Sequence, residues 1–114
     1  MSDNDGVMIA GFILRGAEPS TIVARAIGPS LVSSGVTGAL ADPTLELHDA
    51  DGAIVGSNDN WKENETEIRE TGLPPTDDLE SALARTLPPG AYTAIVRGKD
   101  NTTGIGLVEI YNLP

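Results

Sequence analysis

The sequence predicts an all-β protein, an antiparallel β-sandwich with about seven strands and one short helix. Short apolar runs alternate with turns that use the 13 glycines and eight prolines, which is typical of many short strands. Aromatic residues make up only 4% of the chain, so the expected core is aliphatic. The 114 residues predict a single sandwich domain over residues 7–114, preceded by a polar segment, residues 1–6, that we expect to be flexible.

Most elements can be placed from their apolar patterns. Residues 7–14 (VMIAGFIL) are apolar on both faces, which is typical of a central strand. A helix is expected over residues 62–71, with Ile68 as its one strong apolar residue and Gly72 as its C-terminal cap. Further strands are expected at 21–27, 81–87, 91–97 and 104–113, beside a hairpin at 44–61.

The hairpin has a register that the pattern favours. Leu45 and Leu47 alternate with polar residues, which indicates a strand with one buried face. A four-residue loop would pair Leu47 with Ile54 and Leu45 with Gly56, keeping apolar residues together. A two-residue loop would slip this register and turn the apolar face to water. We therefore predict the four-residue loop.

The net charge of the chain limits the classes of molecule that it can bind. Seventeen acidic and seven basic residues give a net charge of −10 and an isoelectric point near 4.2, which argues against nucleic acid or an anionic membrane and favours cations. No apolar run approaches the roughly 18 residues of a membrane span, and no leader is recognisable, so a secretion signal would lie outside this chain. The absence of cysteine excludes disulfides and thiol chemistry.

The sequence does not predict an enzyme. The one histidine, His48, is expected on the solvent face of a strand, without a nucleophile or an orienting partner at a recognisable spacing. No phosphate-binding glycine loop and no zinc-protease motif is present. Trp61, the one tryptophan, is expected to cap the core, whereas an exposed position would indicate carbohydrate stacking. Tyr92 is expected to be a buried structural residue that ties its hydroxyl to nearby backbone.

Two acidic segments at strand ends predict a calcium site. Asn58 and Asp59 follow one strand, and Asp77, Asp78 and Glu80 precede another. Calcium prefers six to eight such oxygen ligands on irregular chain. The alternative is that these side chains only cap turns or bond to backbone N–H groups.

Three segments resemble a repeat module of large predicted extracellular proteins of environmental bacteria. They read RAIGPSL at 25–31, DPTLEL and SNDNW at 42–47 and 57–61, and DDLESA, LPPGAYT and GLVEIY between 77 and 111. More distantly, the hairpin followed by PPGAYTAIV is similar to bacterial pre-peptidase C-terminal domains. This resemblance implies a jelly-roll-like sandwich that accompanies secreted enzymes, several of which bind calcium.

The resemblance also implies an open edge. The repeats carry one further strand ahead of the segment that matches residues 6–14, and this chain has no counterpart for it. We expect residues 1–6 or the end of the chain to fill the gap in a neighbouring copy by strand addition, since the strand at 7–14 carries no charge and no proline. The predicted assembly residues are Val7, Met8, Ile9, Tyr111 and Leu113.

The function expected from the sequence is a non-catalytic structural module of a bacterial extracellular or cell-surface assembly, a repeat unit or a filament subunit stabilised by calcium. Its expected partners are other copies of itself. The alternative is an accessory domain that binds a polysaccharide or a partner protein, and a small hydrolase ranks behind both.

Overall fold

The computed structural model describes residues 7–113, which form seven strands in two antiparallel sheets. The predicted sandwich is therefore confirmed, whereas the flexible segment predicted at residues 1–6 lies outside the described residues. The strands are β1 (Val7–Leu14), β2 (Ser20–Ile27), β3 (Pro43–His48), β4 (Ile54–Asn58), β5 (Ser81–Leu87), β6 (Gly90–Gly98) and β7 (Leu107–Leu113).

One sheet has four strands in the order β1–β6–β3–β4, and the other has three in the order β5–β2–β7. β4 lies beside β5 at one side of the sandwich, and β1 lies beside β7 at the other. Alternate residues of each strand point between the sheets and form one aliphatic core. Its fully buried members include Ile22, Leu45, Leu47, Leu83 and Val96.

β1 is an edge strand, and the prediction of a central strand is wrong. Its inner face packs Met8 and Phe12 against the core, but its outer face leaves Ile9 66% and Ile13 62% exposed. Apolar residues on both sides of a strand indicate that both faces of the sheet are covered. They do not indicate whether another strand pairs with each edge of that strand. No strand or helix of the described residues packs on this outer apolar face, which is largely exposed.

The hairpin register also differs from the prediction. Leu47 pairs with Gly56 and His48 with Ile54, so Val55 is an extra residue that forms a bulge. The turn is one residue shorter than predicted, because Asp49 N–H donates to the Ala53 carbonyl at 2.9 Å. The bulge lets Val55 pack on the core while Ile54 faces solvent, so the hydrophobic pattern is satisfied without the predicted pairing.

The helical segment begins one residue earlier than predicted and has two parts. A 3-10 turn, Trp61–Asn64, leads into α1 (Glu65–Glu70), and the chain leaves the helix at Gly72, whose φ of +78° favours glycine. Trp61 is 3% exposed and Ile68 is fully buried, and both pack on Ala82 of β5. The expectation that Trp61 caps the core is confirmed.

Two further 3-10 turns, Pro29–Ser34 and Lys99–Asn101, lie in the connections after β2 and β6. The last strand begins at Leu107, three residues later than predicted, because Ile105 forms an isolated parallel bridge with Ala39. Among the described residues, none of the helices has the length and apolar character that crossing a bilayer requires.

Candidate functional site

The two acidic segments meet at one end of the sandwich. The Trp61 backbone N–H donates to the Glu80 carbonyl at 2.9 Å, and the Trp61 indole N–H donates to the Asp77 carbonyl at 3.1 Å. The Ser81 hydroxyl donates to the Asp59 carbonyl at 2.7 Å. The segments are therefore joined through backbone carbonyls, and their carboxylates have other partners.

Glu80 is fully buried, and both oxygens of its carboxylate accept hydrogen bonds. Oε2 accepts from the backbone N–H groups of Gly28 and Ser30 at 2.9 and 2.8 Å. Oε1 accepts from the Ser30 hydroxyl at 2.7 Å and from the Asp77 N–H at 3.3 Å. These bonds hold the turn after β2 against the chain that enters β5, so the side chain satisfies backbone donors that would otherwise be buried without partners.

The other predicted metal ligands at this end also have separate roles. Asn58 is buried, and its Oδ1 accepts the Ala82 N–H at 3.0 Å. Asp77 caps its own turn by accepting the Leu79 N–H at 2.9 Å, and Asp78 is exposed 3.8 Å from the Lys62 ammonium. Within residues 7–113 no three acidic or histidine side chains lie close enough together to hold a metal ion. Calcium binding by this set stays a prediction.

Asp59 belongs to a different group, which the sequence did not reveal. Its Oδ2 accepts from the Lys99 ammonium at 2.6 Å, and its carboxylate lies beside that of Asp42. One oxygen of each carboxylate is buried and has no hydrogen-bond partner among the described residues. Burial raises the pKa of Asp42 above its usual 3.8, and the charge of Asp59 raises it further. Two adjacent carboxylates thus lie near one ammonium, which bonds to Asp59.

This pair offers two of the oxygen ligands that calcium requires, and no third acidic or histidine side chain of residues 7–113 completes a set with it. Unpartnered, buried carboxylate oxygens are hard ligands whose mutual repulsion a divalent cation would cancel. Asp42 and Asp59 supply them, and Asp100 adds negative charge nearby. Glu80 does not fit such a site, because its oxygens are occupied by backbone donors.

Two polar contacts on the strands are structural. The His48 ring lies 3.0 Å from Glu46 Oε1 and 3.1 Å from the Gly52 carbonyl, and the bond to Glu46 raises the pKa of His48. Arg25 Nε donates to Glu109 at 2.8 Å, across directly paired positions of β2 and β7. Neither contact presents a nucleophile beside a base.

The predicted assembly residues fall on two neighbouring edges. Val7, Met8 and Ile9 lie on β1. Tyr111 and Leu113 lie on β7, where they pair with Val23 and Thr21 of β2. A small pocket of about 50 Å³ opens between the start of β1 and the 104–106 segment.

Comparisons with known proteins support the fold. No protein-family model matches the chain, and no curated protein does. A solved structure, the pre-peptidase C-terminal domain of a collagenase from Bacillus anthracis, is similar with a TM-score of 0.54 at 13% sequence identity, and the match covers 92% of this chain and 76% of that one. The chain therefore has a β-sandwich fold similar to that of a pre-peptidase C-terminal domain.

Proposed function

We propose that this domain is a non-catalytic structural module of a bacterial extracellular or cell-surface assembly, and that it associates with copies of itself. The observation that carries the proposal is the distribution of exposed apolar side chains. Of the eight large apolar side chains that are exposed in residues 7–113, three lie on the outer face of β1. They are Val7, Ile9 and Ile13. An apolar surface concentrated on one side of an acidic molecule is typical of an interaction site.

The polar end of the sandwich supports a structural role. Glu80, Asn58 and Asp77 are committed to bonds that hold turns, and no base faces a nucleophile there. The polysaccharide alternative has less support. Trp61 and Tyr92 are buried, and Phe12 packs against the core. The Arg25 guanidinium lies over the Tyr111 ring, 5.2 Å from its centroid, so none of the four aromatic side chains in residues 7–113 is fully exposed to a sugar ring.

Self-association is the first test. Sedimentation velocity of the full chain at high micromolar concentration should show species larger than a monomer, and electron microscopy should show whether they are closed or run on as filaments. A glycan array provides the comparison for the alternative. A chain that stays monomeric at these concentrations, with and without calcium, would contradict the proposed function, and a specific glycan signal from that monomer would favour the alternative.

We further propose that calcium stabilises the fold through Asp42 and Asp59. A ligand that binds only the folded state stabilises it by about 2.7 kcal/mol at a hundredfold excess over its dissociation constant. The melting temperature should therefore rise by several degrees in millimolar calcium and fall back when a chelator is added.

The variant Asp42→Asn should lose this response, whereas Asp51→Asn in the exposed hairpin turn should keep it. A wild-type melting temperature that does not change in millimolar calcium would exclude the site.

Asp42 also predicts a pH dependence of stability in the absence of calcium. Because its pKa is raised on folding, the folded state binds the proton more tightly, and stability is lost as the pH rises from 3.8 through the raised pKa. Asp42→Asn should flatten that part of the pH profile.

A further inference from the structure

Within residues 7–113 the two open sheets have four edge strands, and three of them carry protective features. β4 is five residues long and bulged opposite β3. β5 is covered by the helical segment, through Trp61 and Ile68. β7 carries Glu109 in an ion pair with Arg25. Short strands, bulges, covering segments and charges are the devices by which sandwiches keep their edges from pairing with other chains.

Beyond its first two residues, which lie beside the 104–106 segment, β1 has none of these devices. It is eight residues long, pairs with β6 in an unbroken register from Val7 to Leu14, and contains no charge and no proline. On its other side no strand pairs with it within the described part of the chain. Its outer face adds the exposed side chains of Ile9 and Ile13 to a row of unpaired backbone groups. Such an edge is a template for another strand.

We infer that β1 pairs with β1 of a second copy, antiparallel, so that two four-stranded sheets become one sheet of eight strands. This inference rests on the proposed self-association and names its surface. The charge of the molecule argues for this partner: each copy carries −10, so association through most of its surface opposes carboxylates, whereas β1 brings two uncharged strands together. A strand is also complementary to itself across a twofold axis.

The side chains select a register. Directly opposite residues of an antiparallel pair lie on the same face of the sheet, so outward residues must oppose outward ones. A register centred on Gly11 places Ile9 opposite Ile13 of the second copy, in both directions. A register centred on Ala10 places Ile9 opposite Gly11 and leaves its side chain without an apolar partner. The two most exposed residues of β1 therefore favour the axis at Gly11.

The absence of cysteine from the chain allows a direct test of this register. In Gly11→Cys the two thiols would lie opposite each other, at a Cα separation of about 4.5–5.5 Å that suits a disulfide. A side chain fits at this position, since the nearest atom that a Cβ would meet is the Tyr92 carbonyl oxygen at 3.8 Å. Mild oxidation of this variant should give a covalent dimer.

Two matched controls separate pairing from random collision. Ile9→Cys lies on the same strand and face but opposes Ile13, so it should cross-link slowly alone and rapidly only as the double variant with Ile13→Cys. Val32→Cys lies at an equally exposed position, 63% against 66%, on the turn after β2. Gly11→Cys should form the dimer at least about tenfold faster than either single control, because the twofold axis holds only its thiols in contact.

A second experiment needs no cross-link. Ile9→Lys should weaken self-association by at least about tenfold, since it removes two buried isoleucines from the pair and places a charge on the edge. Val32→Lys also replaces an exposed β-branched apolar residue by lysine, away from β1, and should leave association as in the wild type.

The outcomes distinguish the two proposals. A wild-type chain that never self-associates overturns both. A wild-type chain that self-associates while Gly11→Cys cross-links no faster than Val32→Cys, and while Ile9→Lys has no effect, overturns the β1 surface and leaves the proposed function standing. Rapid cross-linking of folded Gly11→Cys, with a wild-type melting temperature, supports the inference.

Discussion

Replacing Glu80 by glutamine is expected to lower the free energy of unfolding by about 3 kcal/mol or more. The carboxylate is fully buried and accepts the N–H groups of Gly28 and Ser30 at one oxygen, with the Ser30 hydroxyl and the Asp77 N–H at the other. An amide keeps one acceptor and turns an NH₂ donor towards these donors. At least one backbone N–H then loses its partner, and the remaining bonds lose the charge that strengthens them.

Urea denaturation at neutral pH measures this loss, and Glu67→Gln provides the control. Glu67 is exposed on α1, so the same change of charge and atoms should alter stability by no more than about 0.5 kcal/mol. Ser30→Ala keeps the backbone N–H bond to Glu80 and removes the hydroxyl, which bonds to Glu80 at 2.7 Å and to the Thr76 hydroxyl. It should cost about 1–2 kcal/mol, which keeps the test usable if Glu80→Gln does not fold. Wild-type stability in Glu80→Gln would show that the carboxylate does not hold these donors.

Glu80 shows why the candidate site was only partly predictable. Its place among Asp77 and Asp78 indicated a metal ligand, because the sequence shows which acids are neighbours in the chain. Three of the four donors that it binds lie 50 or 52 positions earlier, in the turn after β2. Only the pairing of β2 with β5 brings that turn to Glu80. The sequence alone therefore does not distinguish an acidic residue that binds a metal from one that bonds to buried backbone donors.

The proximity of Asp42 and Lys99 was not predictable for the same reason, because only strand pairing brings them together. They are 57 positions apart, and they meet because Pro43 pairs with Gly98 where β3 and β6 run side by side. The strands themselves were predictable, since alternation and turn residues are local signals: β5 has the predicted bounds, and β6 extends one residue beyond them at each end. Register and edge position depend on which strands pair, and apolar patterns do not encode this choice.

The burial of Tyr92 follows from a turn that is visible in the sequence. The turn at 88–90 sends the chain into β6 with Tyr92 pointing inward, where it is 6% exposed in the core. Its ring stacks on Phe12 of the neighbouring edge strand with centroids 5.6 Å apart, and its hydroxyl donates to the Pro88 carbonyl at 2.6 Å. The residue thus ties β1, β6 and the turn together, as expected for a structural tyrosine.

Tyr92→Ala is therefore expected to cost about 3–5 kcal/mol, as large-to-small aromatic changes in a core do. Tyr92→Phe keeps the ring and the stack on Phe12 and removes only the bond to Pro88, so it should cost about 1 kcal/mol. Denaturant unfolding of both variants separates packing from hydrogen bonding. Because Phe12 belongs to β1, Tyr92→Ala should also loosen that strand and increase hydrogen exchange along it. If Tyr92→Ala were as stable as the wild type but had lost the ability to bind a ligand, Tyr92 would be a binding residue and not a structural one.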